Sequence, residues 1–284
     1  MKSTEHSVPA IRVEDVTLAY GSTLIMSQLS FDVHSGEVLI VMGGSGSGKS
    51  TLLKSLIGLL PPASGKIFFA STDFWSASEK EQNRIRRHMG VLYQQGALWS
   101  SMTLAENISL PLEIYTLLRP RDIKDVVSFK LGLVGLGGQE QAYPAELSGG
   151  MRKRAALARA LALDPKILFF DEPSSGLDPV TARRLDNLIL ELQSSLGTTM
   201  VVVTHDLDSI FAIGSRAVFL DAEQKTITEI GDPREMRDAS DNLSVREFLN
   251  RGRGEEREQR SEVRGQEEGE ERDLRSEVRG QEEG

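Results

Sequence analysis

Apolar residues fall along this chain in short, nearly unbroken runs that alternate with stretches of helical spacing. Val38-Leu39-Ile40-Val41-Met42 is too short for anything but a buried strand, and Leu52, Leu53, Leu56, Ile57 and Leu60 after it recur at the period of a helix. Similar runs return at 166–170, 199–203 and 217–220, with helical stretches between them, and predict a parallel core sheet covered on both faces. Ahead of the first run, Ile11-Arg12-Val13, Val16 to Tyr20 and Leu29 to Val33 read as short strands of an N-terminal antiparallel β subdomain. Lys66 to Ala70 begins another strand after the turn at Pro61 to Gly65. Glu79 to His88 is charged and helix-compatible, and its Arg84, Arg86, Arg87 and His88 read as a solvated face rather than an anion-binding patch. From Thr103 to Leu163 the pattern is mainly helical, with loops at Gly132 to Gly138 and around Pro144, which predicts an inserted helical subdomain over about 97–163.

Composition narrows the class. The chain has 284 residues, 39% hydrophobic and 26% charged, enough to bury a sizeable core in one large domain or two subdomains. The longest apolar runs fall far short of the ~18 to 20 residues of a membrane span, and Met1 to Val8 lacks the apolar segment of a signal peptide, so a soluble protein is expected. Any membrane role would go through partners. The absence of cysteine removes disulfides and zinc-thiolate sites, and a net charge of −9 argues against general nucleic-acid binding. Residues 251–284 differ from the rest: Arg260 to Gly269 recurs word for word at Arg275 to Gly284, among 8 Arg and 12 acidic residues with three large apolar ones. Such a tail cannot bury a core and is expected to be disordered, leaving 8–250 as the folded domain.

The chemistry begins at Gly43-Gly44-Ser45-Gly46-Ser47-Gly48-Lys49-Ser50-Thr51, between the first buried strand and its helix. The spacing is that of a phosphate-binding loop: amides and the helix N-terminus take phosphate oxygens, Lys49 reaches the β- and γ-phosphates, and Ser50 ligates Mg²⁺. Regular spacing of Gly44, Gly46 and Gly48 fits a dinucleotide fingerprint worse, since its third glycine would fall on Lys49. Ile167 to Phe170 ends in Asp171 and Glu172, candidates for water-mediated Mg²⁺ binding and for the general base that polarises the attacking water. Leu147-Ser148-Gly149-Gly150-Met151 opens a helix, where Ser148 reads as an N-cap or, with the two glycines, as a second phosphate site.

Leu-Ser-Gly-Gly 24 residues before Glu172, behind a phosphate loop, resembles the nucleotide-binding subunits of ABC transporters, over about residues 8 to 235. The resemblance implies a P-loop α/β fold and adds roles. Tyr20 would stack on adenine, and Gln94 would sense Mg²⁺ and the membrane partner. Asp178, in Ser175-Gly176-Leu177-Asp178, would belong to the loop facing the second subunit, and His205 would contact the γ-phosphate. Met151 stands where the family usually has Gln, and Gly176 where Ala is usual. ATP and Mg²⁺ are the implied cofactors, and a head-to-tail homodimer is implied because Ser148, Gly149 and Gly150 of one subunit would close over ATP held by the other. The phrase Gly96-Ala97-Leu98-Trp99-Ser100-Ser101 narrows the similarity to the ATPases of MCE-type lipid transporters. These dock beneath a permease dimer joined to an MCE-domain periplasmic protein, often with a STAS-domain regulator, which would place the chain on the cytoplasmic face of the inner membrane. The family's C-terminal dimer contacts would fall to Leu243, Val245, Phe248 and Leu249. An importer for another cargo is the rival; a DNA-acting ATPase is disfavoured because Lys49 and Asp171 are only 122 positions apart, with no heptads between them.

Overall fold

The structure is a computed structural model, described over residues 8–251; of the tail expected over 251–284, Arg251 is helical, and the rest lies outside the described residues. Six strands form the central sheet in the order β10(Thr226–Gly231), β9(Arg216–Asp221), β3(Val38–Gly43), β8(Thr199–Val203), β7(Ile167–Asp171), β6(Met89–Leu92). β9, β3, β8, β7 and β6 run parallel, and only β10 is antiparallel to its neighbour. Both faces of this sheet are covered, which is why its strands are apolar throughout. In β3, Val38, Ile40 and Met42 point into one core, while Leu39 and Val41 point into another.

The first core is completed by the inserted helices α3(Leu104–Tyr115), α4(Pro120–Leu133) and α5(Gly149–Ala160), and by α6(Pro179–Leu196), α7(Leu207–Ile213) and α8(Pro233–Ala239). The second is completed by α1(Lys49–Leu56) and a four-stranded antiparallel sheet ordered β2(Thr23–Val33), β1(Ile11–Tyr20), β4(Ser64–Phe69), β5(Thr72–Asp73). Burial of each Leu, Ile or Val in these layers contributes about 1.5–3 kcal/mol. The two short strands expected at 11–13 and 16–20 are one strand, β1, bent at Asp15, whose φ of 49° and shifted register mark a bulge.

The charged stretch forms α2(Glu79–Arg86), capped by Ser78. Arg84 pairs with Glu81 at the surface, but Arg86 lies over the Phe74 ring and Arg87 over the Tyr115 ring, so the solvated reading holds for only part of this face. A last helix covers residues 243–251, started by Asn242, whose side chain accepts from the Ser244 and Val245 amides. Here the expectation of dimer contacts is corrected. Val245, Phe248 and Leu249 are buried in the chain's own core, with Phe248 edge-on to Phe219 at 5.3 Å, because three apolar side chains on one helical face pack on the nearest sheet. Leu243 stays exposed.

Candidate active site

The C-terminal ends of β3, β7 and β8 lie side by side; Asp171 ends β7, Glu172 and His205 sit in the loops that follow β7 and β8, and Lys49 opens α1 after the loop from β3. This is where open parallel sheets bind ligands. The loop after β3 depends on glycine for two different reasons. At Gly48, φ is 81° and a Cβ would stand 2.7 Å from Met26, so only glycine permits both the turn and the contact. At Gly43 a Cβ would sit 2.4 Å from the Leu220 carbonyl oxygen. Ser45 and Gly46 are exposed at the tip, Gly44 is partly exposed, and Ser50 and Thr51 begin α1.

Lys49 folds back over the loop, its Nζ donating to the carbonyl oxygens of Gly43 at 2.9 Å and Gly44 at 2.8 Å. Burial pushes the Lys49 ammonium below its ordinary range, with Glu172 and Asp171 opposing and Arg251 acting in the same direction as burial. Burial also raises the Asp171 carboxyl, aided by the Glu172 charge and opposed by Lys54 and Lys49. Glu172 is held in the left-handed region at φ 47°, its amide donating to the Val203 carbonyl at 2.8 Å. From there its Oε1 lies 2.7 Å from His205 Nδ1, and Thr204 Oγ1 donates to its other oxygen at 3.4 Å. A strained residue pinned by the neighbouring strand aims its carboxylate, as catalytic residues often are aimed.

The residues fit a nucleotide phosphate and its metal. The glycine cradle leaves amides and a helix N-terminus bare, and the buried Ser47 hydroxyl has no partner among the described residues. No group of three or more His, Asp or Glu side chains converges among the described residues.

Other expected residues lie around this centre. Gln94, past the end of β6, donates to Ser175 Oγ at 3.2 Å and so joins the loops after β6 and β7. Asp178 caps α6, accepting from the Val180 and Thr181 amides. Tyr20 ends β1, half exposed. Ser148 caps α5 by accepting from the Met151 amide. With Gly150 it lines a separate cavity of about 520 Å³ beside Leu177, Thr181 and Arg184, so one chain does not bring the α5 start onto its own phosphate loop. Gly149 is the first residue of α5.

Sequence reasoning missed two cations. Lys153, buried on α5, donates through Nζ to the carbonyl oxygens of Glu172 at 3.2 Å, Pro173 at 2.6 Å and Ser175 at 2.7 Å. A lysine among Ala155, Ala156 and Leu157 was the available signal, since a charge in an apolar helix face needs partners. Arg251 donates to the His205 carbonyl at 2.7 Å, and nothing in the sequence pointed to it.

A second cleft, of about 510 Å³, opens between α2, α3 and the segment after Gln94, lined by Arg86, Arg87, Tyr93, Trp99, Tyr115 and Arg159. Its floor is built. Arg159 donates to the Gly96 and Ala97 carbonyls, and buried Asn107 bonds both the amide and the carbonyl of Trp99. Trp99 itself remains 59% exposed.

Residues 26–175 match the family model described as ABC transporter. A probable ribonucleotide transport ATP-binding protein, mkl, of Mycobacterium leprae is 45% identical over 85% of this chain and 69% of its own length. The intermembrane phospholipid transport system ATP-binding protein MlaF of Haemophilus influenzae is 39% identical over 84% of this chain and 89% of its own. Among solved structures, the dimeric ATP-binding cassette MJ0796, in a post-hydrolysis state with ADP and Pi, superposes with a TM-score of 0.71 at 30% identity. It covers 78% of this chain and 98% of that one. The cbiO1 subunit of a Clostridium perfringens ABC transporter superposes at 0.75 with 28% identity, over 85% and 94%.

Proposed function

The chain belongs to the ABC transporter family, and from that premise we propose that it powers an MCE-type transporter moving phospholipids between the inner membrane and the outer envelope. It is an ATPase with the ABC ATPase fold. The observation that carries the cargo class is the similarity to MlaF along nearly nine-tenths of that protein. The phrase Gly96 to Ser101 supports it, since its Trp99 lines the cleft and Arg159, another lining residue, holds the Gly96 and Ala97 carbonyls. A second reading, a different cargo, is favoured by the higher identity to mkl, whose name gives ribonucleotide transport.

In this reading Gly43 to Thr51 bind the ATP phosphates, Tyr20 stacks on the base, and Ser50, Asp171 and Gln94 hold Mg²⁺. The metal, when bound, neutralises phosphate charge. Glu172 takes the proton of the attacking water, and its bond to His205 keeps the carboxylate aimed while it waits. Lys49 exchanges two neutral carbonyl partners for phosphate oxygens, a gain because an ammonium bonds an anion more strongly than a carbonyl. Ser148, Gly149 and Gly150, remote from the chain's own phosphate loop, act on the ATP of a second copy in a head-to-tail homodimer, with Asp178 at the start of α6 beside that junction. Hydrolysis then reopens the pair.

The cleft at Trp99 receives a permease dimer. Its aromatic walls and three arginines suit a helix bearing apolar and acidic side chains. Through that permease the chain sits on the cytoplasmic face of the inner membrane, with an MCE-domain protein beyond and a STAS-domain regulator as further partner. Among the described residues no helix is long and apolar enough to cross a membrane. The test is capture of the Glu172→Gln chain from detergent-solubilised membranes with ATP, with partners identified by mass spectrometry. Recovery of a permease and an MCE-domain protein is expected. A different permease overturns the cargo class, and DNA-associated partners overturn transport.

A further inference from the structure

The helix over residues 243–251 brings Arg251 to the loop after β8 that carries His205. Its position is fixed from inside. Val245 and Leu249 are buried, and Phe248 meets Phe219 of β9 edge-on at 5.3 Å. The Arg251 guanidinium stacks over that same Phe248 ring, 4.2 Å from its centroid, and donates to the backbone carbonyl of His205. A rigid aromatic stack therefore carries a permanent cation to the main chain of the residue that bonds Glu172.

We propose that Arg251 is an ATP-sensing residue of this site, resting on the His205 carbonyl and transferring to the terminal phosphate when ATP binds. The assignment rests on the ATPase reading above and adds a ligand that none of the phosphate-site motifs contains. Three features support it. The resting partner is weak for a guanidinium, because a neutral carbonyl accepts one of five available donors, and no carboxylate among the described residues pairs with it. A phosphate matches the guanidinium fork and carries the opposite charge. The charge of Arg251 also reaches Lys49, where it acts with burial against the protonated ammonium. Transfer of the guanidinium would free the His205 main chain at the moment the terminal phosphate arrives. ADP, lacking that phosphate, would leave Arg251 where it is.

The test compares ATP and ADP affinity by titration calorimetry, using the full chain with Mg²⁺ in a Glu172→Gln background that prevents turnover. Arg251→Ala should weaken ATP binding about tenfold and ADP binding less than twofold, the loss of one charge-assisted phosphate contact. Arg251→Lys should recover part of the difference, since it keeps the charge without the fork. Thermal unfolding should move little, because Arg251 is exposed. Equal losses for both nucleotides, or an unchanged ratio, would overturn the inference and make Arg251 a helix-end anchor. Failure of the parent chain to bind ATP would instead overturn the ATPase-site reading on which the inference stands.

Discussion

The two regions proposed to face phosphate are built in opposite ways. At the strand ends, Lys49, Asp171, Glu172 and His205 are held by one another, by buried strands and by backbone strain. At the start of α5, Ser148, Gly149 and Gly150 form an ordinary capped helix end beside a cavity whose lining carries Arg154, Arg184 and Glu191 and none of the strand-end residues. In the proposed mechanism the first region is a nearly finished catalytic centre and the second is half of a binding surface. Lys153 bridges them, since it grows from α5 and holds three carbonyls of the loop that carries Glu172. The difference teaches that the chemistry is local to one chain while the closing of the site is not.

The hardest blow to the finished region is Glu172→Gln. Loss of the general base should lower steady-state ATP turnover by about 10²–10⁴-fold with nucleotide affinity retained, and wild-type turnover would remove Glu172 from its role. The bridge comes next. Lys153→Met leaves three carbonyls without their cation and should cost about 3 kcal/mol in denaturant unfolding, while Lys153→Arg should recover part of it. Cutting the bridge should also lower kcat more than it raises KM, because Glu172 loses its support and the phosphate loop does not.

A pH experiment reaches the contact between α6 and α7. Asp186 on α6 is buried and accepts from Ser209 of α7 at 3.0 and 3.1 Å, and desolvation raises its carboxyl to about 6. Unfolding would return it to 3.8, so the native state binds more protons between these values, and its stability contribution falls as pH rises through that window. Asp186→Asn should therefore stabilise the protein at pH 7.5 by up to roughly 3 kcal/mol, with the gain vanishing near pH 4. A gain that does not vary with pH would exclude this cause. The smallest effect belongs to the open region: Ser148→Ala should cost about 1 kcal/mol of stability through the lost cap. It should leave nucleotide binding by the isolated chain unchanged, yet lower turnover at concentrations where two copies meet. Unchanged turnover at all concentrations would break the comparison.

The sequence made the strand ends readable because glycine spacing and strand-terminal carboxylates have few alternative uses, and Gly43 to Thr51, Asp171, Glu172 and His205 do converge. It also displayed the sheet, since β3, β7 and β8 are buried on both faces and so uniformly apolar. β6 was harder to see. It is four residues long and contains Gly90, which is needed because a Cβ there would lie 2.4 Å from the Ala160 carbonyl oxygen. β10 mixes Thr, Ile and Glu at the sheet edge and has no apolar run to betray it. The destination of Val245, Phe248 and Leu249 was misjudged because an apolar helix face does not state whether its partner is the same chain or another. Arg251 was invisible for a related reason: the fold, not its neighbours in sequence, brings it to His205.

The contact between Gln94 and Ser175 has a mechanical meaning. One end follows Tyr93, which lines the cleft proposed to meet the permease; the other belongs to the loop that runs from Glu172 toward Asp178. A single neutral hydrogen bond is worth about 1 kcal/mol, so thermal agitation alone releases it a substantial fraction of the time. Such a joint behaves as a clutch, engaged by default and inexpensive to slip. Motion at the membrane side can then be taken up or let go by the catalytic loop without deforming either body.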